Sequence, residues 1–141
     1  MIVTLCTGDW ATMRDAARAV RTAVFVLEQK IPLALEQDAM DVACLHAVAF
    51  NEQNRPIGTG RLLPDGHIGR MAVLADCRSA GVGGLLLQKL MEAARGRGDA
   101  QVKLNAQQAA EAFYRRHGFE RDGALFLEAG IVHVAMRHPL G

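Results

Sequence analysis

The chain has 141 residues, half of them hydrophobic, and its 16 basic and 15 acidic side chains leave a formal net charge of +1. This length predicts a single domain, residues 1–141, and the near-neutral charge argues against a broad nucleic-acid surface. No apolar run approaches the roughly 20 residues that span a bilayer, and the N-terminal residues show no signal-peptide pattern, so we expect a cytoplasmic protein. The cysteines are far apart in sequence, which argues against a structural metal site.

The first half of the chain begins with a strand and a helix. "MIVTLC" has strand character, and from Thr12 apolar residues recur at helical spacing, which predicts an amphipathic helix that ends near Glu28. The residues that follow are irregular and are interrupted by Pro32. Short turns then join three predicted antiparallel strands, at Leu45–Phe50, Ile57–Leu63 and His67–Leu74.

The second half of the chain begins with a glycine-rich turn and an amphipathic helix that Gly96 and Gly98 stop. A strand at Ala100–Asn105, a helix in "QQAAEAFYRRHG" with Gly118 at its C-cap, and two final strands follow. The strands on either side of the first of these helices need a crossover and should be parallel. The order predicts an α/β domain of the α+β type, with a mixed, mostly antiparallel twisted sheet flanked by helices.

The glycine-rich turn contains Gly81, Gly83 and Gly84 and leads from a strand into a helix. Such turns often bind anions, because backbone N–H groups converge there at the positive end of the helix dipole. A P-loop would need lysine where Leu85 stands, and a dinucleotide-binding fingerprint would need glycine at Leu86. The alternative is that the glycines only form a tight helix entry.

The residues around the turn carry a family resemblance. Arg78–Gly83 fit Arg/Gln-x-x-Gly-x-Gly/Ala, which resembles the acyl-CoA pyrophosphate loop of the GNAT superfamily of N-acetyltransferases. Phe113–Phe119, "FYRRHGF", resemble its second signature. With "RTAVFVLEQ", "EQDAMD" and "EAGIVHVAM", nearly the whole chain is similar to the ElaA-like subgroup, although Val132 stands where that subgroup often has proline.

The resemblance implies a GNAT fold and an enzyme that transfers an acetyl group from acetyl-CoA, its cosubstrate, to a primary amine. The acceptor would be a small molecule, a peptide or a protein, and the amine would attack directly in a ternary complex. It also implies that backbone groups of a strand and of the glycine loop hold the donor, with two polar side chains and a tyrosine nearby. These donor-site residues are Met71, Ala72, Val73, Arg78, Ser79, Ala80, Gly81, Val82, Gly83, Gly84, Asn105, Gln107 and Tyr114.

Four residues are candidates for proton transfer. A tyrosine with a pKa of about 10 remains a donor near neutrality, so Tyr114 can protonate the departing CoA thiolate, the role that the resemblance implies. From the helix pattern alone, a core tyrosine is the alternative. An amine with a pKa of about 10.4 must lose a proton before it attacks, and His46, Glu128 and His133 are candidate bases or acceptor-site groups. A structural, hydrogen-bonded histidine is the alternative for each imidazole.

The acceptor and the class of function stay open at this point. The segment from residue 28 to residue 41 has one basic residue, Lys30, and four acidic ones: Glu28, Glu36, Asp38 and Asp41. This excess of negative charge predicts either an acidic wall that favours a cationic amine or a solvated loop. A non-catalytic acyl-CoA sensor, a nucleotide-binding module and an interaction domain without a ligand are the alternative functions. Many relatives in the superfamily are dimers, so a homodimer is one expected state.

Overall fold

The computed structural model describes residues 1–141 and contains seven strands in two sheets. One sheet has the strand order β1-β2-β3-β4, and the other has the order β5-β7-β6. The strands are β1 (Thr4–Gly8), β2 (Leu45–Phe50), β3 (Pro56–Leu62), β4 (Ile68–Val73), β5 (Gln101–Gln107), β6 (Glu120–Glu128) and β7 (Ile131–Pro139).

The first helix changes its winding along its length. Helix α1 (Trp10–Arg21) is capped by Asp9, whose carboxylate accepts a hydrogen bond from the Thr12 amide, and it continues into a π-helical segment, Thr22–Glu28. The helical stretch therefore ends at Glu28, as predicted. The remaining α-helices are α2 (Leu33–Glu36), α3 (Val82–Gly96) and α4 (Glu111–Arg116). None of these helices has the length and apolar character needed to cross a membrane.

The predicted parallel pair is present but short. Strands β4 and β5 meet only at a parallel bridge between His67 and Lys103, beside a 3.0 Å hydrogen bond from the Lys103 amide to the Gly66 carbonyl. Every strand pair within the two sheets is antiparallel. The predicted single mixed sheet is thus divided in two, because β5 forms its whole ladder with β7 instead of β4.

The region after β5 also differs from the prediction. The strand predicted at Ala100–Asn105 extends to Gln107, because Gln107 still pairs with His133 of β7. A 3-10 turn at Gln108–Ala110 then precedes α4, so the predicted helix is shortened at its N-terminal end. Its C-terminal end is as predicted: Gly118 has a φ of +93°, and the Phe119 amide donates to the Tyr114 carbonyl.

One hydrophobic core joins the two sheets and the helices. Helices α1 and α3 both pack against β3, while α4 packs against β5. Helix α3 contributes a fully buried apolar face, which the predicted amphipathic pattern requires. The core residues with the lowest exposure include Val20, Ala47, Ile57, Leu62, Leu86, Leu87, Leu90, Val102 and Val134.

Candidate active site

The gap between β4 and β5 exposes one edge of a strand. Strand β4 pairs with β3 along one side, and beyond the bridge at His67 its other side pairs with no strand. Met71, Ala72 and Val73, predicted to hold the pantetheine arm, lie on this strand. Unpaired N–H and C=O groups on a strand edge can bind an extended ligand as an added strand. The geometry therefore fits the predicted mode of donor binding.

A β-bulge precedes these residues. The register between β3 and β4 shifts between Thr59 and Arg61, and Arg70 has a φ of +48°, an unfavourable value for a residue with a side chain. Bulges re-aim the backbone and are frequent beside active sites. Sequence reasoning missed Arg70, because no sequence signal distinguishes a bulged arginine from any other strand residue.

The glycine loop enters α3 with its first N–H groups uncapped by any side chain. Ser79 and Gly81 have φ angles of +65° and +82°, and Gly81 is the N-cap residue of α3. Three or four backbone N–H groups at such a helix start have no intrahelical partner and can donate to an anion. A Cβ at Gly81 would meet no atom within 4 Å, so its positive φ is what favours glycine there.

The other two glycines have a packing role. A Cβ at Gly83 would lie 3.4 Å from the Phe113 ring, and a Cβ at Gly84 would lie 3.2 Å from the His117 ring. Because neither glycine has a Cβ atom, the first turn of α3 can approach α4 closely. These roles of Gly81, Gly83 and Gly84 fit the alternative of a tight helix entry, and the anion-binding hypothesis depends on the uncapped N–H groups of α3.

The Arg78 side chain makes three hydrogen bonds to other parts of the chain. Its Nε donates to the Val73 carbonyl at 3.0 Å, and its two terminal nitrogens donate to the two Glu28 carboxylate oxygens at 2.7 Å each. Arg78 holds the pKa of the Glu28 carboxyl below its ordinary value. The guanidinium thus joins the end of β4 to the end of the π-helical segment, while the side chain stays 41% exposed.

Tyr114 lies on α4 with its side chain among other aromatic rings. Its ring contacts Phe113 and Phe119 edge to face, at centroid distances of 5.0 and 5.8 Å. The residue is 8% exposed, and burial raises the pKa of the phenol to about 12. Its hydroxyl has no hydrogen-bond partner within the protein. A phenol in this state keeps its proton at neutral pH and is available as a donor.

A pair of amides links the helical layer to the end of β5. Gln107 donates to Gln29 at 2.8 Å, and Gln29 donates back at 3.3 Å, across 78 residues of sequence. Asn105, the other predicted polar partner, is exposed two residues earlier on β5. Gln29 escaped sequence reasoning, because only the tertiary fold brings it to Gln107.

His133 and Glu128 lie together on the hairpin of β6 and β7. The Nδ1 of His133 donates to the Ile131 carbonyl at 2.7 Å, and its Nε2 lies 3.6 Å from a Glu128 carboxylate oxygen. The Nδ1–H bond leaves Nε2 as the proton acceptor of the neutral ring. The turn between β6 and β7 precedes Val132, which stands where the subgroup often has proline, and consists of Ala129 and Gly130. Both have positive φ, as a two-residue hairpin turn requires.

His46 has a different environment from His133. It is 1% exposed in the interior of β2, its Nε2 donates to the Asp41 carbonyl at 2.8 Å, and its ring lies 4.7 Å from the Trp10 ring. Burial lowers the pKa of this imidazole. These contacts fit the structural alternative that the sequence left open for it.

The expectation of an acidic wall is wrong. All four carboxylates are paired with arginines that lie elsewhere in the sequence, so no free acidic surface remains. The pairs are Glu28 with Arg78, Glu36 with Arg21, Asp38 with Arg61 and Arg70, and Asp41 with Arg21 and Arg61. Arg70 also donates to the Glu36 carbonyl at 3.1 Å, which ties the bulge in β4 to α2. These ion pairs form a network that anchors residues 33–43 to α1, β3 and β4.

The open edge of β4 and the uncapped N-terminus of α3 fit the binding of an acyl donor, and the comparisons with known proteins show the class of protein. Residues 14–140 match the family model described as an acetyltransferase (GNAT) domain, and the chain belongs to this family. It is 40% identical over 124 residues to the uncharacterized N-acetyltransferase YjcF of Bacillus subtilis, covering 83% of this chain and 86% of that protein.

Solved structures confirm the fold and the resemblance to ElaA-like proteins. An acyl-CoA N-acyltransferase from Pseudomonas aeruginosa superposes with a TM-score of 0.85 at 29% identity, covering 97% of this chain and 99% of that chain. Escherichia coli ElaA superposes with the same TM-score at 25% identity and with the same coverage. The chain is therefore a GNAT-type acyltransferase with the α+β fold predicted from its sequence.

Proposed function

We propose that this chain is a single-domain N-acetyltransferase, residues 1–141, that uses acetyl-CoA to acetylate a primary amine. The observation that carries the proposal is the unpaired edge of β4 leading to the uncapped N-terminus of α3. An extended pantetheine arm has strand-like hydrogen-bonding groups, and a pyrophosphate suits a helix N-terminus.

The donor would lie along β4 with its thioester near the bulge. Backbone groups of Met71, Ala72 and Val73 would bind the pantetheine amides, with Asn105 and Gln107 on the β5 side. The amides of Ser79, Ala80, Gly81, Val82, Gly83 and Gly84 would bind the pyrophosphate, and the terminal nitrogens of Arg78, which bind Glu28 in this structure, would add charge.

Acetyl transfer then needs two proton movements. The neutral amine attacks the thioester carbonyl carbon, and the C–S bond breaks as the tetrahedral intermediate collapses. The phenol of Tyr114, which its raised pKa keeps protonated before the reaction, would donate a hydrogen bond to the departing thiolate and pass its proton to the sulfur as the thiol forms. The phenolate regains a proton from solvent after the products leave.

His133 is the better placed of the two histidines to accept the proton from the amine. Its Nε2 is a free acceptor in the neutral ring, and Glu128 at 3.6 Å would stabilise the imidazolium that forms. His46 uses its Nε2 within a fully buried contact and has no comparable freedom. We therefore propose His133 as the base and Glu128 as its partner.

Composition and cysteine state support the cellular setting of the proposal. All three cysteines are free, which is typical of a reducing compartment, so we propose a cytoplasmic enzyme. With a net charge of +1, we expect acetyl-CoA and an amine as its partners and not a nucleic acid or a membrane. A homodimer stays an expectation that light scattering can test.

Thermal unfolding with acetyl-CoA, NAD and ATP tests the proposal. Acetyl-CoA at 100 times its dissociation constant should stabilise the fold by about 2.7 kcal/mol and raise the midpoint, while NAD and ATP should not. A screen of amines for release of free CoA thiol then identifies the acceptor. Stabilisation by ATP or NAD alone, or by none of the three, would remove the basis of the proposal.

A further inference from the structure

The acidic residues after α1 differ in what their partners do. Glu36 and Asp41 are buried in the arginine network and hold the fold together. Glu28 is half-exposed, and its partner Arg78 belongs to the loop that we propose binds pyrophosphate. Arg78 is also the only charged side chain in that loop, residues 78–84. The carboxylate of Glu28 therefore neutralises the one side-chain cation of the proposed phosphate site.

The strength of this pair allows it to be exchanged. Both side chains are 41% exposed, and ion pairs with this exposure contribute little to stability. A pyrophosphate offers Arg78 an anion of higher charge with the same bidentate geometry. Glu28 lines an open cavity of about 400 Å³ together with Val24, Leu27 and Leu74, so ligand atoms can reach its carboxylate.

Glu28 and its neighbour also span the gap between the two sheets. Glu28 bonds to Arg78, just beyond β4, and Gln29 bonds to Gln107, the last residue of β5. A π-helical segment leads into this crossing, and such segments occur frequently at functional sites. If Glu28 releases Arg78, the amide pair still holds this part of the chain at β5.

We propose that Glu28 is an affinity-determining residue that masks Arg78 until the acyl donor binds. The proposal rests on the proposed donor site. The incoming pyrophosphate takes over the terminal nitrogens of Arg78, the Glu28 carboxylate is released, and the Arg78 Nε stays on the Val73 carbonyl. Glu28 thus lowers the affinity for the donor, and it ties donor binding to the position of the segment that follows α1.

Isothermal titration of acetyl-CoA into four proteins tests this mask: the wild type, Glu28→Gln, Arg78→Gln and the double variant. Glu28→Gln should bind acetyl-CoA about two- to fivefold more tightly, because the competing ion pair is gone. Arg78→Gln should bind at least about tenfold more weakly, since charge-assisted hydrogen bonds to phosphate are lost. In the Arg78→Gln background, Glu28→Gln should have no further effect.

Asp76→Asn is the matched control. Asp76 lines the same cavity and forms an exposed ion pair, but with Arg55, at 2.9 Å. This variant should leave the dissociation constant unchanged. Unchanged or weaker binding by Glu28→Gln, or an equal gain from Asp76→Asn, would overturn the mask. If the wild type does not bind acetyl-CoA, the proposed function itself fails.

Discussion

At the scale of single residues, Tyr114 shows how the fold alters the chemistry of a side chain. The Phe113 and Phe119 rings pack against it edge to face, and burial raises the pKa of its phenol to about 12. A phenol exposed to water would have a pKa of about 10. The ring supplies most of the contact, whereas the hydroxyl loses hydration without gaining a hydrogen bond within the protein.

Tyr114→Phe separates the chemical role of this residue from its packing role. The variant keeps the ring and removes only the hydroxyl, so we expect an unchanged melting temperature and an unchanged dissociation constant for acetyl-CoA. Turnover of the identified amine should fall by about 10²–10⁴-fold, the usual contribution of a general acid. Full turnover in the variant would assign Tyr114 to the core. Lost turnover with intact donor binding would also count against a purely sensory role.

At the scale of elements, the sequence predicted most of the pieces but not all their partners. Strand β2 has the predicted bounds, and the helix starting at α1 ends at the predicted Glu28, because a short apolar run and a helical apolar repeat are both local patterns in the sequence. No comparable sequence pattern marks the change from α-helical to π-helical winding at Thr22. The bulge at Arg70 and the amide pair of Gln29 with Gln107 depend on contacts across the fold, which a single sequence does not reveal.

The entry to α3 offers a test of why Gly84 is glycine. On a helix surface without neighbours, Gly84→Ala would stabilise the protein by up to about 1 kcal/mol. Here the new Cβ would lie 3.2 Å from the His117 ring. The centroid of that ring lies 4.8 Å from the centroid of the Phe113 ring. Overpacking costs about 1–3 kcal/mol, so we expect a lower melting temperature. In a His117→Ala background the sign should reverse, and Gly84→Ala should then stabilise. Destabilisation in both backgrounds would contradict the packing explanation.

At the scale of the whole molecule, the ion network joins parts of the chain that are far apart in sequence. Arg21 from α1, Arg61 from β3 and Arg70 from β4 hold the carboxylates of residues 36, 38 and 41, so three positive charges meet three negative ones. Of the two sequence expectations for this acidic segment, neither a free wall nor a solvated loop describes it. The error arose because every arginine partner lies at least 15 residues away.

This network makes the fold sensitive to acid. The pKa of Asp38 is lowered to about 2, mainly by its hydrogen bonds from Arg61, whereas in an unfolded chain it would be about 3.9. A carboxyl with a lowered folded-state pKa stabilises the protein above its unfolded pKa and loses that contribution as the pH falls toward its folded pKa. Stability should therefore drop between about pH 4 and pH 2, and Trp10, the only tryptophan, can report the loss from its position 5.4 Å from Arg21.

Asp41→Asn tests how much of the stability depends on the buried centre of the network. Burial raises the pKa of Asp41, but Arg21 and Arg61 outweigh it and keep the carboxyl ionised, so removing this charge leaves two buried guanidiniums undercompensated. The expected cost is about 3–5 kcal/mol, which corresponds to a melting temperature roughly 10 °C lower or more. Asp76→Asn, which removes the same charge from an exposed pair, should scarcely change it. Equal midpoints for the two variants in Trp10 fluorescence melts would show that the network contributes no more to stability than a surface pair does.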